Sequence, residues 1–218
     1  MNAVTARPSI VILGGGPGGY EAALVAAQLG ADVTIVDADG LGGAAVLTDV
    51  VPSKTLIATA EVLDTMRGAD ELGLTGGDDV ATDLAHVNRR VQALAKAQSQ
   101  DIRTRLEAEG VRIVVGRGRL AGPGKVEVDG GGATLDATAI LLAVGAKPRR
   151  LPDAQPDGER ILTWTQLYDL DALPERLVVV GSGVTGAEFA SAYDVLGSNV
   201  ALVSSRDRVL PGEDADAA

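Results

Sequence analysis

The sequence predicts an α/β protein: two β-α-β units with parallel sheets and a small antiparallel excursion between them, the second unit incomplete. Three observations carry the prediction. Two β-branched apolar runs each end in a glycine-rich loop, an Ala-rich helical stretch follows each loop, and one ungapped internal repeat relates the two copies.

Residues 10–13 form the first apolar run and lead into Gly14-Gly15-Gly16-Pro17-Gly18-Gly19. Residues 20–29 read as a helix stopped by Gly30, and residues 33–36 as a second strand that ends at Asp37. The arrangement recurs as a strand over 177–180, the glycines Gly181, Gly183 and Gly186, a helix to Leu196, the stop Gly197 and a strand over 200–203. A constant offset of 167 positions lays Gly14 on Gly181, Gly16 on Gly183, Gly19 on Gly186, Glu21 on Glu188 and Gly30 on Gly197. A single G-x-G-x-x-G is a weak signal, whereas two copies in the same strand–helix–strand setting are a strong one.

Between the copies, residues 52–67 read as a helix with Pro52 and Ser53 in its first turn. Residues 83–109 read as a longer helix with Leu84, Val87, Val91, Leu94, Ile102 and Leu106 on its apolar face. Residues 111–115 form a strand. Residues 116–136 are Gly-rich with short alternating runs such as Lys125-Val126-Glu127-Val128, the pattern of antiparallel strands. Residues 139–144 return as a buried strand closed by Gly145. The Pro- and Asp-containing stretch 151–160 marks a boundary between a domain over 1–150 and the start of a second over 151–218.

Composition narrows the chemistry. The 218 residues include no Cys, which excludes a disulfide framework, a thiolate metal site and a dithiol redox centre within this stretch. A net charge of −11 argues against nucleic-acid and anionic-membrane surfaces. Residues 1–9 hold no apolar leader core and no apolar run reaches membrane-spanning length, so the cytoplasm is the expected location. His86 lies among Asn88, Arg89 and Arg90 and reads as a surface residue, as do Arg149-Arg150 and Glu213-Asp214. No metal site is expected.

The glycine loops suit a diphosphate, which must approach backbone N–H groups at a helix N-terminus where unpaired donors and the macrodipole favour negative charge. Gly14 allows the tight turn, Gly16 the close approach and Gly19 the packing of helix on strand; Gly181, Gly183 and Gly186 repeat these roles. Both units are therefore Rossmann-like and dinucleotide-binding. Asp37 can accept from both ribose hydroxyls of an adenosine. Ser204, at the matching place, cannot repel a 2′-phosphate, and Ser205 and Arg206 follow it as donors, so the second site is expected to accept NADPH, NADH or both. Arg206 reads equally well as a solvated arginine.

These residues together resemble the flavoprotein disulfide reductases of the dihydrolipoamide dehydrogenase type along essentially the whole chain. The resemblance implies FAD at the first glycine loop, with Gly42, Gly43, Gly118 and Gly145 among its contacts, and NAD(P) at the second. The stretch from Gly42 to Lys54 is similar to the family's redox-active segment, in which two cysteines precede Pro-Ser-Lys. Here those positions hold Ala45 and Val50, so thiol–disulfide exchange cannot run there. Lys54 matches a lysine beside the flavin and Glu188 the glutamate that pairs with it; Glu188 also reads as an ordinary first-turn acid helped by the helix dipole. Ala143-Val144-Gly145 stands where the family has Ala-Thr-Gly.

Gly42-Gly43-Ala44-Ala45-Val46 and residues 155–164 are similar to one subgroup, the NAD(P)H quinone reductases. The implied activity is hydride transfer from NAD(P)H to flavin and on to a quinone-type acceptor without a protein dithiol. Family members continue with further NAD(P) strands and a dimerisation domain that carries a catalytic histidine, so the chain reads as the N-terminal part of a longer homodimeric protein. The alternative is a dinucleotide-binding remnant or fragment without turnover. A dihydrolipoamide dehydrogenase proper fails on Ala45 and Val50.

Overall fold

The computed structural model describes residues 7–129 and 133–218. Residues 1–6, within the stretch read for targeting, and 130–132, within the expected antiparallel excursion, lie outside the described residues. In chain order the elements are β1 (Ser9–Leu13), α1 (Pro17–Gln28), β2 (Asp32–Asp37), α2 (Gly43–Leu47), α3 (Val50–Arg67), α4 (Leu84–Ala108) and β3 (Arg112–Val115). There follow β4 (Gly118–Gly122), β5 (Lys125–Val128), β6 (Ala133–Asp136), β7 (Ala139–Leu142), β8 (Arg176–Val180), α5 (Val184–Leu196) and β9 (Asn199–Val203). The chain packs as two compact units, one of Met1–Val50 with Leu94–Ala154 and one of Val51–Ala93 with Gln155–Ala218.

The first unit holds a four-stranded sheet in the order β3-β2-β1-β7, parallel throughout, with Ile10 beside Val33 on one side and Ala139 on the other. The chain must cross over between parallel neighbours, and α1 does so from β1 to β2. It starts at Pro17, whose missing N–H is no loss in a first turn, and buries Ala23 and Leu24. The antiparallel sheet β4-β5-β6 follows the Gly-rich pattern of the sequence, and Val126 and Val128 from β5 pack on Val11, Leu13 and Val36.

Two expectations need correction. The strand expected to run buried to residue 144 ends at Leu142, and Leu142 and Val144 are exposed, because β7 pairs only with β1 and forms the edge of the sheet. Leu94 is also exposed: the buried stripe of α4 runs Leu84, Asn88, Val91 and Ala95, a helical spacing that leaves Leu94 to one side.

In the second unit β8 and β9 pair in parallel, Leu177 beside Val200, and α5 links them. Leu56, Ala60 and Leu63 of α3, Leu84 and Val91 of α4, and Phe189, Tyr193 and Leu196 of α5 share one apolar cluster with Leu167 and Tyr168. Val178 and Val180, on the other face of β8, are exposed.

The repeat read from the sequence is a structural repeat. Gly14 N–H donates to the Val36 carbonyl at 2.9 Å, and Gly181 N–H donates to the Val203 carbonyl at 2.9 Å. The helix ends match as well, with Gly30 N–H on Ala27 O and Gly197 N–H on Asp194 O.

Candidate functional site: two glycine loops and an ion pair

In each unit a strand, a glycine loop and a helix N-terminus create a cluster of backbone donors, and the glycines divide into three kinds. Gly14 and Gly181 have φ of +102° and +120°, the left-handed region that favours glycine. A Cβ at Gly19 would lie 1.9 Å from the Gly14 carbonyl oxygen, and one at Gly186 would lie 1.8 Å from the Gly181 oxygen, so the helix can approach the loop only without side chains there. The middle glycines are different. Gly16 (φ −70°, ψ −178°) and Gly183 (φ −73°, ψ −179°) have backbones any residue adopts. A Cβ would meet nothing closer than 3.9 Å at Gly16 and nothing within 4 Å at Gly183. Neither needs to be glycine for the fold. Both leave a cradle that a Cβ would fill, at helix N-termini where N–H groups lack intrahelical acceptors, and this fits the diphosphate of a dinucleotide.

Asp37 closes β2 under the first loop. Its Oδ2 accepts from Gly15 N–H at 2.7 Å, and its Oδ1 accepts from Asp39 N–H at 2.9 Å and Gly40 N–H at 2.6 Å. The carboxylate thus anchors the loop, while Oδ2 keeps a lone pair that can take one ribose hydroxyl. In the second unit Ser204 Oγ lies 2.6 Å from Ser182 Oγ and accepts from Arg206 N–H at 3.0 Å. Ser182 is the partner of Gly15 in the repeat, so one carboxylate–amide contact is replaced by a neutral hydroxyl pair. Ser205 and Arg206 follow on the exposed surface.

Gly42 is buried beside the first loop and donates to Gly15 O at 2.7 Å, and a Cβ at Gly43 would lie 2.7 Å from Gly16 Cα. Ala143 packs against Gly14, where a Cβ would meet the Ala143 carbonyl oxygen at 2.2 Å. Gly145, with φ +64°, turns the chain after it. Gly118 is packed under the sheet, where a Cβ would lie 2.4 Å from Leu13 Cδ2. Ala45 sits in α2, and Val50 opens α3.

Pro52 and Ser53 are buried in the first turns of α3, and Leu56, Ala60 and Leu63 continue that face. Lys54 therefore falls beside the packed stripe, and its Nζ donates to Glu188 Oε1 on α5. The side chains are 54% and 28% exposed, a setting in which an ion pair adds only about 0–1 kcal/mol to stability. Ser53, Leu56, Ile57, Glu188 and Phe189 line a small crevice at this point.

His86 is exposed on α4. Its neighbour Asn88 is not: it is buried, and its Nδ2 donates to the Leu167 and Leu170 carbonyls at 3.1 and 2.8 Å, with Gln92 one turn on donating to Tyr168 O at 2.8 Å. The spacing of 88 and 92 with 84, 91 and 95 carries that signal in the sequence. Among the described residues no three acidic or histidine side chains gather to hold a metal, and no helix is long and apolar enough to cross a membrane.

Parallel strands joined through glycine loops to helix N-termini define an α/β protein of the Rossmann-like kind. Residues 8–218 match the model of the family described as pyridine nucleotide-disulphide oxidoreductase, and the chain belongs to that family. A Mycobacterium tuberculosis protein named NAD(P)H dehydrogenase (quinone) is 54% identical over 96% of this chain and 45% of its own length. A dihydrolipoyl dehydrogenase of Zymomonas mobilis is 37% identical over 95% of this chain and 45% of its own. The crystal structure of LpdA from Mycobacterium tuberculosis superposes with a TM-score of 0.88 at 53% identity, over 96% of this chain and 47% of that one. The chain thus spans somewhat under half the length of the relatives it matches.

Proposed function

We propose that the chain forms the dinucleotide-binding part of an FAD-dependent oxidoreductase that takes hydride from NADPH or NADH and passes electrons to a quinone-type acceptor without a protein dithiol. The observation that carries this reading is the segment from Gly42 to Lys54, where Ala45 and Val50 supply no sulfur while Lys54 keeps its ion pair with Glu188. The relative named NAD(P)H dehydrogenase (quinone) supports it. Flavin, when bound, supplies hydride acceptance and electron release to the acceptor.

The chain's own residues do the rest. Gly16 and the first turn of α1 would offer N–H donors to the diphosphate of FAD, Asp37 would accept from its ribose, and the backbone about Gly42, Gly43, Gly118 and Gly145 would complete the cradle. Gly183 and the first turn of α5 do the same for NAD(P)H, and the neutral Ser204 admits a 2′-phosphate that Arg206 can pair. Lys54 would supply a cation beside the flavin, and Glu188 holds its ammonium in place.

The test is NADPH- and NADH-dependent reduction of a quinone by the purified full-length protein. Lys54→Met is expected to lower kcat by at least about tenfold with little change in stability. A variant with unaltered kcat removes Lys54 from the mechanism. The second reading is a dinucleotide-binding piece without turnover. Protein that turns over no quinone yet binds NADH is the outcome that selects it.

A further inference from the structure

Leu210 is the one non-glycine residue among those described with a left-handed backbone, φ +51°. That conformation is disfavoured for a residue with a Cβ and persists where the surroundings fix it. A hydrogen bond fixes it here. Leu210 N–H donates to the Ser182 carbonyl oxygen at 2.7 Å, while Glu213 N–H donates back to Leu210 O at 3.0 Å and Arg208 Nη2 to Glu213 O at 3.0 Å. The first unit contains the same device. Gly42, with φ +93°, donates its N–H to Gly15 O at 2.7 Å. Ser182 is the repeat partner of Gly15, and Leu210 lies one residue past the position matching Gly42.

The consequence follows from peptide geometry. No peptide bond among the described residues is cis, and in a trans peptide the C=O and the following N–H point in opposite directions. Holding the Ser182 carbonyl toward Leu210 therefore turns the Gly183 N–H the other way, at the N-cap of α5, where it has no acceptor among the described residues. Glycine gives this peptide the freedom to rotate, and a flipped peptide would offer a carbonyl oxygen where a diphosphate needs a donor.

We infer that Leu210 is a positioning residue for the second dinucleotide site: its N–H locks the Ser182–Gly183 peptide so that Gly183 N–H is preset to donate to the diphosphate of NADPH or NADH. The inference rests on the dinucleotide reading of that loop given above. In the second unit the lock is held against the left-handed strain at Leu210, whereas Gly42 provides it in the first without strain.

The experiment uses full-length protein labelled with 15N-glycine and compares wild type, Leu210→Pro, which has no N–H and whose ring, with φ held at about −65°, also loses the left-handed turn, and Leu210→Gly, which keeps both. NADH affinity, bound FAD content and the Gly183 amide resonance are measured. Leu210→Pro is expected to weaken NADH by about tenfold or more with FAD content unchanged, as loss of a preset charge-assisted donor requires. Leu210→Gly is expected to restore wild-type affinity within about threefold, with the Gly183 resonance shifting on NADH addition as in wild type. Unchanged affinity in Leu210→Pro, or equal loss in both variants, overturns the inference and leaves the dinucleotide reading standing. Wild-type protein that does not bind NADH overturns both.

Discussion

Replacing Gly183 and Gly186 by Ala, one at a time, separates a glycine kept for a ligand from a glycine kept for the fold. At Gly186 the new Cβ would lie 1.8 Å from the Gly181 carbonyl oxygen and 2.9 Å from its carbon, so backbone must move. Overpacking of that kind costs about 1–3 kcal/mol or more, and the steep contact places Gly186→Ala at about 3 kcal/mol. At Gly183 nothing lies within 4 Å and φ is −73°, so Ala is tolerated: the gain of about 0.4–1 kcal/mol from restricting the unfolded chain is offset by the similar cost of Ala at a helix N-cap. On the proposed reading the same Cβ would enter the diphosphate cradle and lengthen at least one charge-assisted hydrogen bond, an expected loss of about 1.5–3 kcal/mol, or roughly tenfold to a hundredfold in affinity. Urea unfolding and calorimetric titration with NADH read the two effects separately. Gly183→Ala protein that binds NADH like wild type, or that unfolds as readily as Gly186→Ala, refutes the reasoning.

Three further outcomes are expected. Asn88→Ala removes both donors to the Leu167 and Leu170 carbonyls from a buried position and is expected to destabilise the protein by about 2 kcal/mol, against a smaller loss for His86→Ala on the exposed face, both read by denaturant midpoint. Burial raises the Tyr193 phenol above its ordinary value of 10.0. Its neutral form is the one the fold favours, so the stability it contributes is complete below about pH 10 and is lost as pH rises from there toward the folded value; Tyr193→Phe is expected to flatten that alkaline limb of the melting-temperature profile. Ser204→Asp places a carboxylate where a 2′-phosphate would sit and is expected to weaken NADPH at least about tenfold relative to NADH, measured as the ratio of the two dissociation constants.

The parts of the fold visible in the sequence were those set by backbone chemistry. The φ of Gly14 and Gly181 and the close approach at Gly19 and Gly186 admit one residue type, so the repeat reads directly from the letters. The three short strands of the antiparallel sheet were visible for a similar reason, since alternation and glycine turns are local. What depended on neighbours was harder to see. The apolar run 139–144 looks like a buried strand, yet its place at the sheet edge exposes Leu142. Asn88 looks like part of a polar surface because Arg89 and Arg90 follow it, while the carbonyls it serves are 79 and 82 residues away. At the candidate site, only the family resemblance pairs Lys54 with Glu188 in the sequence, and their contact depends on α3 and α5 sharing one apolar cluster. Leu210 carried no signal at all. A left-handed Leu is invisible in a sequence, and only its hydrogen bond to Ser182 shows why it is held.

The proposed function requires electron flow from a nicotinamide dinucleotide through flavin to a quinone with no protein thiol. Anaerobic titration of the full-length, FAD-loaded protein with NADPH and with NADH, followed by addition of a quinone, tests it most directly. The flavin absorbance is expected to bleach with one equivalent of dinucleotide and to return in full on adding quinone, including after treatment with a thiol-blocking reagent. Flavin that stays oxidised with both dinucleotides, or that bleaches but is not reoxidised by quinone, would contradict it.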